Sequence, residues 1–320
     1  IDDARIGHLT HLMHKELNRC GGFFFHSTKE KGLEFLNSDR SSLATRGIFQ
    51  EYEINQEDLV AQVLNSVSSI NIQNTITDLS SFKNRYYNSD TGVDALKYLH
   101  SSWSKLTAGR KDAKVELYQH KSWKQPSVIL TIKGQVSPEE IIVLGGHADS
   151  IGGMFFASSL PAPGADDNAS GVSTITEVIR VLMDSSYQPE KTLMFMAYAA
   201  EEVGLRGSAE IAKKFQAEKK NVVGVMQLDM TNFKGSSEDM ILIADHTNEA
   251  QNKFLAKIID SYLGFNWAYD KCGYACSDHA SWTAAGYPAS FPFEAKFKDS
   301  NKKIHTANDT IAQSQGHAQN

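Results

Sequence analysis

Cysteine is scarce in this chain, with three in 320 residues, and proline is scarce too, with seven. A disulfide-dense miniprotein and a proline-rich linker protein are therefore excluded. No apolar run approaches the roughly 18 to 20 residues that cross a bilayer as a helix, and the mean hydropathy of −0.36 agrees. Positive charge is also outweighed: 32 Lys and Arg stand against 38 Asp and Glu, for a net charge of −6. Without a basic footprint, neither nucleic acid nor an anionic membrane surface is an expected partner. Several catalytic signatures are missing as well. There is no G-x-S-x-G elbow, HExxH helix, P-loop or G-x-G-x-x-G turn after a strand, which removes the chemistries those motifs serve. What remains, 41% hydrophobic and 22% charged residues, is the balance of an ordinary globular chain with a substantial core. The chain opens with Ile1 and shows no basic-then-apolar leader, so any targeting segment is expected to have been removed.

Cys272 and Cys276 lie four apart in CGYAC, while Cys20 stands alone. A bridge between the pair would close a loop of about five residues, for which chain entropy contributes only about 2 kcal/mol. Its use would be local shape. If formed, it places the protein in an oxidising compartment, periplasmic or extracellular; two reduced thiols in a cytosolic protein are the alternative.

The first 55 residues read as an appended segment, rich in His, Lys, Glu and Ser around one aromatic knot, Phe23, Phe24 and Phe25. A short helix is expected over HLTHLMHKELNRC before Gly21 and Gly22, with His8, His11 and His14 in a row. That row is expected to be a polar helix face, because nothing supplies further metal ligands. Residues 56–320 change pattern, to helices over Leu59–Val67, Ile76–Tyr86 and Val93–Leu106 and then alternating strand and helix. Buried strands are expected at Val128–Lys133, Ile141–Leu144, Thr192–Tyr198, Val222–Leu228 and Met240–Ala244. Helical spacing recurs from Val172 to Met183 and from Phe254 to Leu263. This is the mark of a layered α/β domain.

Three of the apolar strands run straight into acids or a histidine: GGHADS after Leu144, AAEEVG after Tyr198, and LDM at Asp229. In an open α/β sheet, ligands bind at the carboxyl ends of strands, so these ends should meet in one pocket. The turn PGADDNASG, with Asp166 and Asp167, and IHT around His305 extend the set to two histidines and several carboxylates. Imidazole and carboxylate oxygen suit zinc, manganese or cobalt at a catalytic site, and the lack of a thiolate cluster argues against structural zinc. With one central carboxylate and one histidine for each ion, two metals could be held. A glycosidase-like acid and nucleophile pair is the competing use of paired carboxylates.

Taken together and in order, the runs GGHADS, APGADDNASG, FMAYAAEEVGLRGS, LDMTN, CGYACSDHASW and IHT resemble the secreted bacterial leucyl aminopeptidases of the Aeromonas and Vibrio type, from about residue 58 to about residue 312. These are co-catalytic di-zinc exopeptidases. The resemblance implies an α/β fold of three layers, with a mostly parallel, mixed sheet between helices. It implies two zinc ions bridged by Asp167, one completed by His147 and Asp229 and the other by Glu202 and His305. Glu201 then matches the general base, and Asp149 the acid that orients His147. An apolar specificity pocket maps to Met230, Ile243, Cys272, Tyr274, Cys276, Phe291, Phe293, Phe297 and Ile304. Such a pocket favours Leu, Phe or Met and would strand a Lys or Asp charge. HLMHKELNRCGGFFFHS resembles part of the propeptide of those enzymes. That implies a retained inhibitory prosegment, with the Phe23–Phe25 run in the pocket or Cys20 near a zinc. It also implies a maturation protease cutting within about residues 40 to 58, and a secreted monomer acting on peptides with a free amino terminus. A carboxypeptidase or a glutaminyl cyclase on the same fold stays open.

Overall fold

The computed structural model describes residues 3–17, 19, 22–26, 28–37, 48–153, 157–313 and 316–319. Two helices, α1 (Asp3–Leu17) and α2 (Lys29–Asn37), come first. Helix α1 starts five residues before the expected position. His8 is exposed on it, while the side chains of His11 and His14, and all of Cys20, lie outside the described residues.

Three helices follow: α3 (Glu57–Leu64), α4 (Ser69–Ser80) and α5 (Asp90–Leu106). Serine hydroxyls accept from backbone N–H groups at the start of α4, where Ser68 caps Asn71, and of α5, where Ser89 caps Gly92, which satisfies donors a helix start leaves open. The helix expected over Ile76–Tyr86 is corrected: α4 ends at Ser80. Beyond it the chain must deliver two polar side chains to buried carbonyls. Asn84 donates to Ser158 and Leu160 oxygens, and Arg85 donates to Ala148 O and Gly164 O at 2.8 Å each.

The central sheet has six strands in the order β1 (Ala113–Tyr118), β2 (Ser127–Ile132), β4 (Lys191–Tyr198), β3 (Ser137–His147), β5 (Asn221–Gln227) and β8 (Ala289–Ser290). The pairs β1–β2 and β2–β4 are antiparallel, and β4, β3, β5 and β8 run parallel. Strand β1 escapes sequence reading because AKVELY alternates with charges on a half-exposed edge. On one face, α4, α5 and α6 (Gly171–Asp184) pack over Val128, Leu130 and Phe195. On the other, α7 (Arg206–Ala217) and α9 (His279–Ala284) cover Val143, Met196 and Val225. These are the three layers the resemblance implied. A smaller sheet, β7 (Trp267–Asp270), β6 (Met240–Ile243) and β9 (Pro292–Phe293), lies beside them, with helix α8 (Glu249–Ile258) between β6 and β7 in sequence.

Residues just before α3 lie on this domain. The rings of Phe49 and Tyr52 stand 5.6 and 5.9 Å from Phe254, and Gln56 N–H donates to Tyr262 Oη at 3.0 Å. Among the described residues, no helix is long and apolar enough to cross a membrane.

Candidate active site

Because β4, β3 and β5 are adjacent and parallel, their carboxyl ends share one edge, and the convergence expected from the strand-end residues is met there. His147 is the last residue of β3, Glu201 and Glu202 follow β4, and Asp229 follows β5. All four are buried. The turn Ala165–Ser170 brings in Asp167 at the start of α6, and the loop around His305 closes the group.

Two donor triads result, His147 with Asp167 and Asp229, and Asp167 with Glu202 and His305. His147 Nε2 stands 3.0 Å from Asp167 Oδ1 and 3.3 Å from Asp229 Oδ1. His305 Nε2 stands 3.0 Å from Asp167 Oδ2 and 3.2 Å from Glu202 Oε2. Two ligands about 2.0 to 2.1 Å from a tetrahedral zinc stand about 3.3 Å apart, so these spacings fit one ion in each triad. Asp167 turns one oxygen to each histidine, the arrangement a bridging ligand needs.

The charge balance points the same way. Burial alone would raise the Asp167 carboxyl, but hydrogen bonds from His147 and His305 hold it below the usual carboxylate range. Burial would depress both imidazoles, yet the surrounding carboxylates, Asp229 and Glu201 for His147 and Glu202 and Asp167 for His305, carry them well above their ordinary value. Burial, then the Asp167 charge, pushes Glu202 up to about 7. A cluster that draws protons onto its histidines to balance its acids is one where a divalent cation fits.

Glu201 behaves differently. Its two carboxyl oxygens are buried and accept no hydrogen bond from the described residues, and burial, with Asp278 and Glu202 nearby, raises it well above the ordinary glutamate value. Asp149 holds it in place: Oδ1 accepts from Glu201 N–H at 2.9 Å and Oδ2 from Glu202 N–H at 3.2 Å. His147 Nδ1 lies 3.5 Å from the same carboxylate and 3.1 Å from Asp149 O. One acid thus sets the histidine and both glutamates.

Other supports were invisible in the sequence. Asp309 accepts from Asp166 N–H at 3.1 Å and Asp167 N–H at 3.0 Å, and Ser277 Oγ donates to Asp229 Oδ2 at 2.6 Å. Asn168 Nδ2 donates to Leu228 O, while its Oδ1 accepts from Gly171 and Met230, tying the bridging turn to the end of β5. Ala200, Leu205, Met230 and His305 all adopt left-handed φ values, 55 to 58°, and such residues concentrate at functional sites.

A buried chain also anchors the end of β4. Ser127 Oγ accepts from Ala199 N–H at 3.0 Å and lies 2.8 Å from His120 Nε2, whose Nδ1 stands 3.2 Å from Glu210. Ser127 is fully buried, and this Ser–His–Glu array holds the Ala199 backbone. Ser127→Ala is expected to destabilise the fold by about 1–3 kcal/mol, the cost of an unsatisfied buried donor. Urea unfolding with an unchanged m-value would show it; a midpoint equal to wild type would refute it.

All nine residues assigned to the apolar pocket fall in one cluster. Met230, Tyr274, Cys276, Phe291, Phe293, Phe297 and Ile304 line a cavity that reaches Asp229. Ile243 and Cys272 stand behind that wall, and Cys272 is bonded to Cys276. The phenylalanine run goes elsewhere. Phe23 lies against Gly204, where a Cβ would meet its ring at 2.7 Å; Phe24 packs on Leu205, Ala275 and Ala280; and Phe25 faces the Arg206 guanidinium at 4.6 Å. Among the described residues none of the three lines the pocket; the rings pack instead on Gly204, on Leu205 with Ala275 and Ala280, and on Arg206. Arg19 covers the Tyr274 ring at 4.8 Å.

The model of Peptidase family M28 matches residues 127–319, the stretch that holds every ligand candidate. The chain belongs to peptidase family M28. It is 35% identical over 304 residues to a probable aminopeptidase of Saccharomyces cerevisiae, covering 92% of this chain and 81% of that one. Leucine aminopeptidase 1 of Paracoccidioides brasiliensis is also 35% identical, over 92% of this chain and 78% of its own length. The LapA aminopeptidase of Legionella pneumophila superposes with a TM-score of 0.87 at 31% identity, covering all of this chain and 86% of LapA. These relatives carry the M28 family and the peptidase class, and not the narrower Aeromonas and Vibrio type. The M28 fold is the mixed α/β arrangement described above.

Proposed function

We propose that this M28 enzyme is a zinc-dependent aminopeptidase that removes large apolar residues such as Leu from peptide amino termini. The observation that carries the reading is the pair of donor triads sharing Asp167, with Glu201 buried beside them. His147, Asp167 and Asp229 would hold one zinc, and Asp167, Glu202 and His305 the other. Bound there, zinc would supply Lewis acidity toward a scissile carbonyl and toward the attacking water.

The chain's own residues do the rest. Glu201 takes a proton from the attacking water and returns it to the leaving amine, held at its backbone N–H by Asp149. The pocket beside Asp229 takes the first side chain of the substrate, and its aromatic walls exclude water. The amino-terminal segment is read as an inhibitory cover. Phe23 on Gly204, three residues after Glu201, and Arg19 on Tyr274, a pocket wall, support that reading. The Cys272–Cys276 bond supports a secreted enzyme in an oxidising compartment, with a processing protease as partner.

Hydrolysis of a leucine chromogenic amide by the intact chain and by proteolytically trimmed chain, each with and without chelator, tests this. The expected result is chelator-sensitive activity that rises on trimming. Equal rates before and after trimming would discard the cover. Zinc-loaded protein that leaves the amide intact but cyclises amino-terminal glutamine, or cuts at carboxyl termini, would replace the aminopeptidase reading with the cyclase or the carboxypeptidase.

A further inference from the structure

Apart from Asp229 at its inner end, the pocket is lined mainly by apolar and aromatic side chains. Ser300 and Lys302 complete its lining next to Phe297. Ser300 is buried and Lys302 exposed, which sets the hydroxyl deeper and the ammonium at the mouth. Lys302 Nζ lies 3.4 Å from Phe297 O and 3.4 Å from Ser300 Oγ, both at the long limit for a hydrogen bond. Its strongest local contacts are therefore with the pocket's own wall.

Two acids stand near it without lining the cavity. Asp299 and Glu294 are the acids that Lys302 feels. Glu294 is buried and its carboxyl Oε2 accepts from the Asn232 and Phe233 N–H groups, turned away from the cavity lining. Neither Asp299 nor Glu294 lines the cavity, and Asp229, at its inner end, is a donor of one triad. Lys302 is the one basic residue in the described lining of the pocket.

We propose that Lys302, with Ser300, makes this pocket select by charge among polar-tipped side chains, accepting Glu and Gln and rejecting Lys and Arg. The inference rests on the aminopeptidase reading and refines its substrate class. A long acidic side chain lays its methylenes along Phe293 and Phe297 and brings its carboxylate to a donor. A long basic side chain of the same reach brings like charge to like charge at Lys302. The apolar-pocket expectation, in which acidic and basic ends are stranded alike, is thereby split in two. At a partly exposed mouth, screened by water and salt, the discrimination between Glu and Lys should be about tenfold.

The test compares kcat/KM for leucine, glutamate and lysine chromogenic amides, using the zinc-loaded full chain before and after limited proteolysis. Wild type is set beside Lys302→Met, which keeps length and removes charge, and Lys302→Glu. The expected Glu-to-Lys ratio is about ten in wild type, near one in Lys302→Met and inverted in Lys302→Glu. Calorimetric binding of free L-leucine, L-glutamate and L-lysine to the same zinc-loaded proteins ranks the pocket without turnover. Failure to hydrolyse any amide would therefore count against the aminopeptidase reading alone, while the binding order still decides the role of Lys302. A Glu-to-Lys ratio that is the same in all three proteins would overturn it.

Discussion

Glu201→Gln is expected to lower turnover of a leucine amide by about 10²- to 10⁴-fold, the usual worth of a positioned acid or base, with zinc content left at the wild-type level. Glutamine has the same shape, and the backbone N–H that Asp149 holds is untouched, so the strand end keeps its place. What is lost is the ability to take up a proton. Glu201 is suited to that task because burial raises its affinity for a proton. A proton gained from water is thus readily kept until the amine leaves. It belongs to neither donor triad, so metal binding and proton transfer are separable by this one change. Wild-type turnover with wild-type zinc would remove Glu201 from the reaction.

Asp167→Asn should cost the protein both metals or all but a weakly held remnant of them, and with them at least about a thousandfold in activity, since carboxylate is traded for an uncharged amide at a hard-ion site. The reason is its double duty. Each of its oxygens stands 3.0 Å from a different histidine, whereas every other ligand serves one triad. The turn that carries it is held independently through the Asp309 carboxylate and the Asn168 side chain, so far-ultraviolet circular dichroism should match wild type. His305→Ala is the contrasting change, expected to release one equivalent of zinc and leave the other. Elemental analysis of the dialysed proteins reads both; two equivalents retained in Asp167→Asn would show that it bridges nothing.

The ligands were legible because the pattern that marks them is local. An apolar β-branched run ending in His or paired acids says both where the strand stops and which chemistry sits at its end, and β3, β4 and β5 each carry that message. The pocket residues were legible only through the family resemblance, since aromatic residues spread from Tyr274 to Phe297 read equally well as core. Helix α4 was placed too far along, because its apolar spacing continues past Ser80 and nothing local announces that Asn84 and Arg85 are needed by carbonyls some 60 to 80 residues away. Strand β1 was missed for the opposite reason: an edge strand half exposed to water needs no apolar run.

The supporting residues mark the boundary most clearly. Asp309 was passed over, although it stands four residues after His305, because an acid in a polar loop carries no sign that two backbone N–H groups 142 and 143 residues distant will point at it. Lys302 was likewise one more surface lysine until the fold set it on the rim of an apolar cavity. By itself the sequence determined the donor types, the strand ends that carry them and the class of metal they suit, since these follow from residue chemistry and the apolar periodicity of single elements. Residue chemistry alone left open which acid is shared and which glutamate stands outside the triads, which the family resemblance named; only the tertiary structure shows the distances of about 3 Å on which each depends and the lysine that lines the pocket, because chain connectivity leaves those groups unrelated.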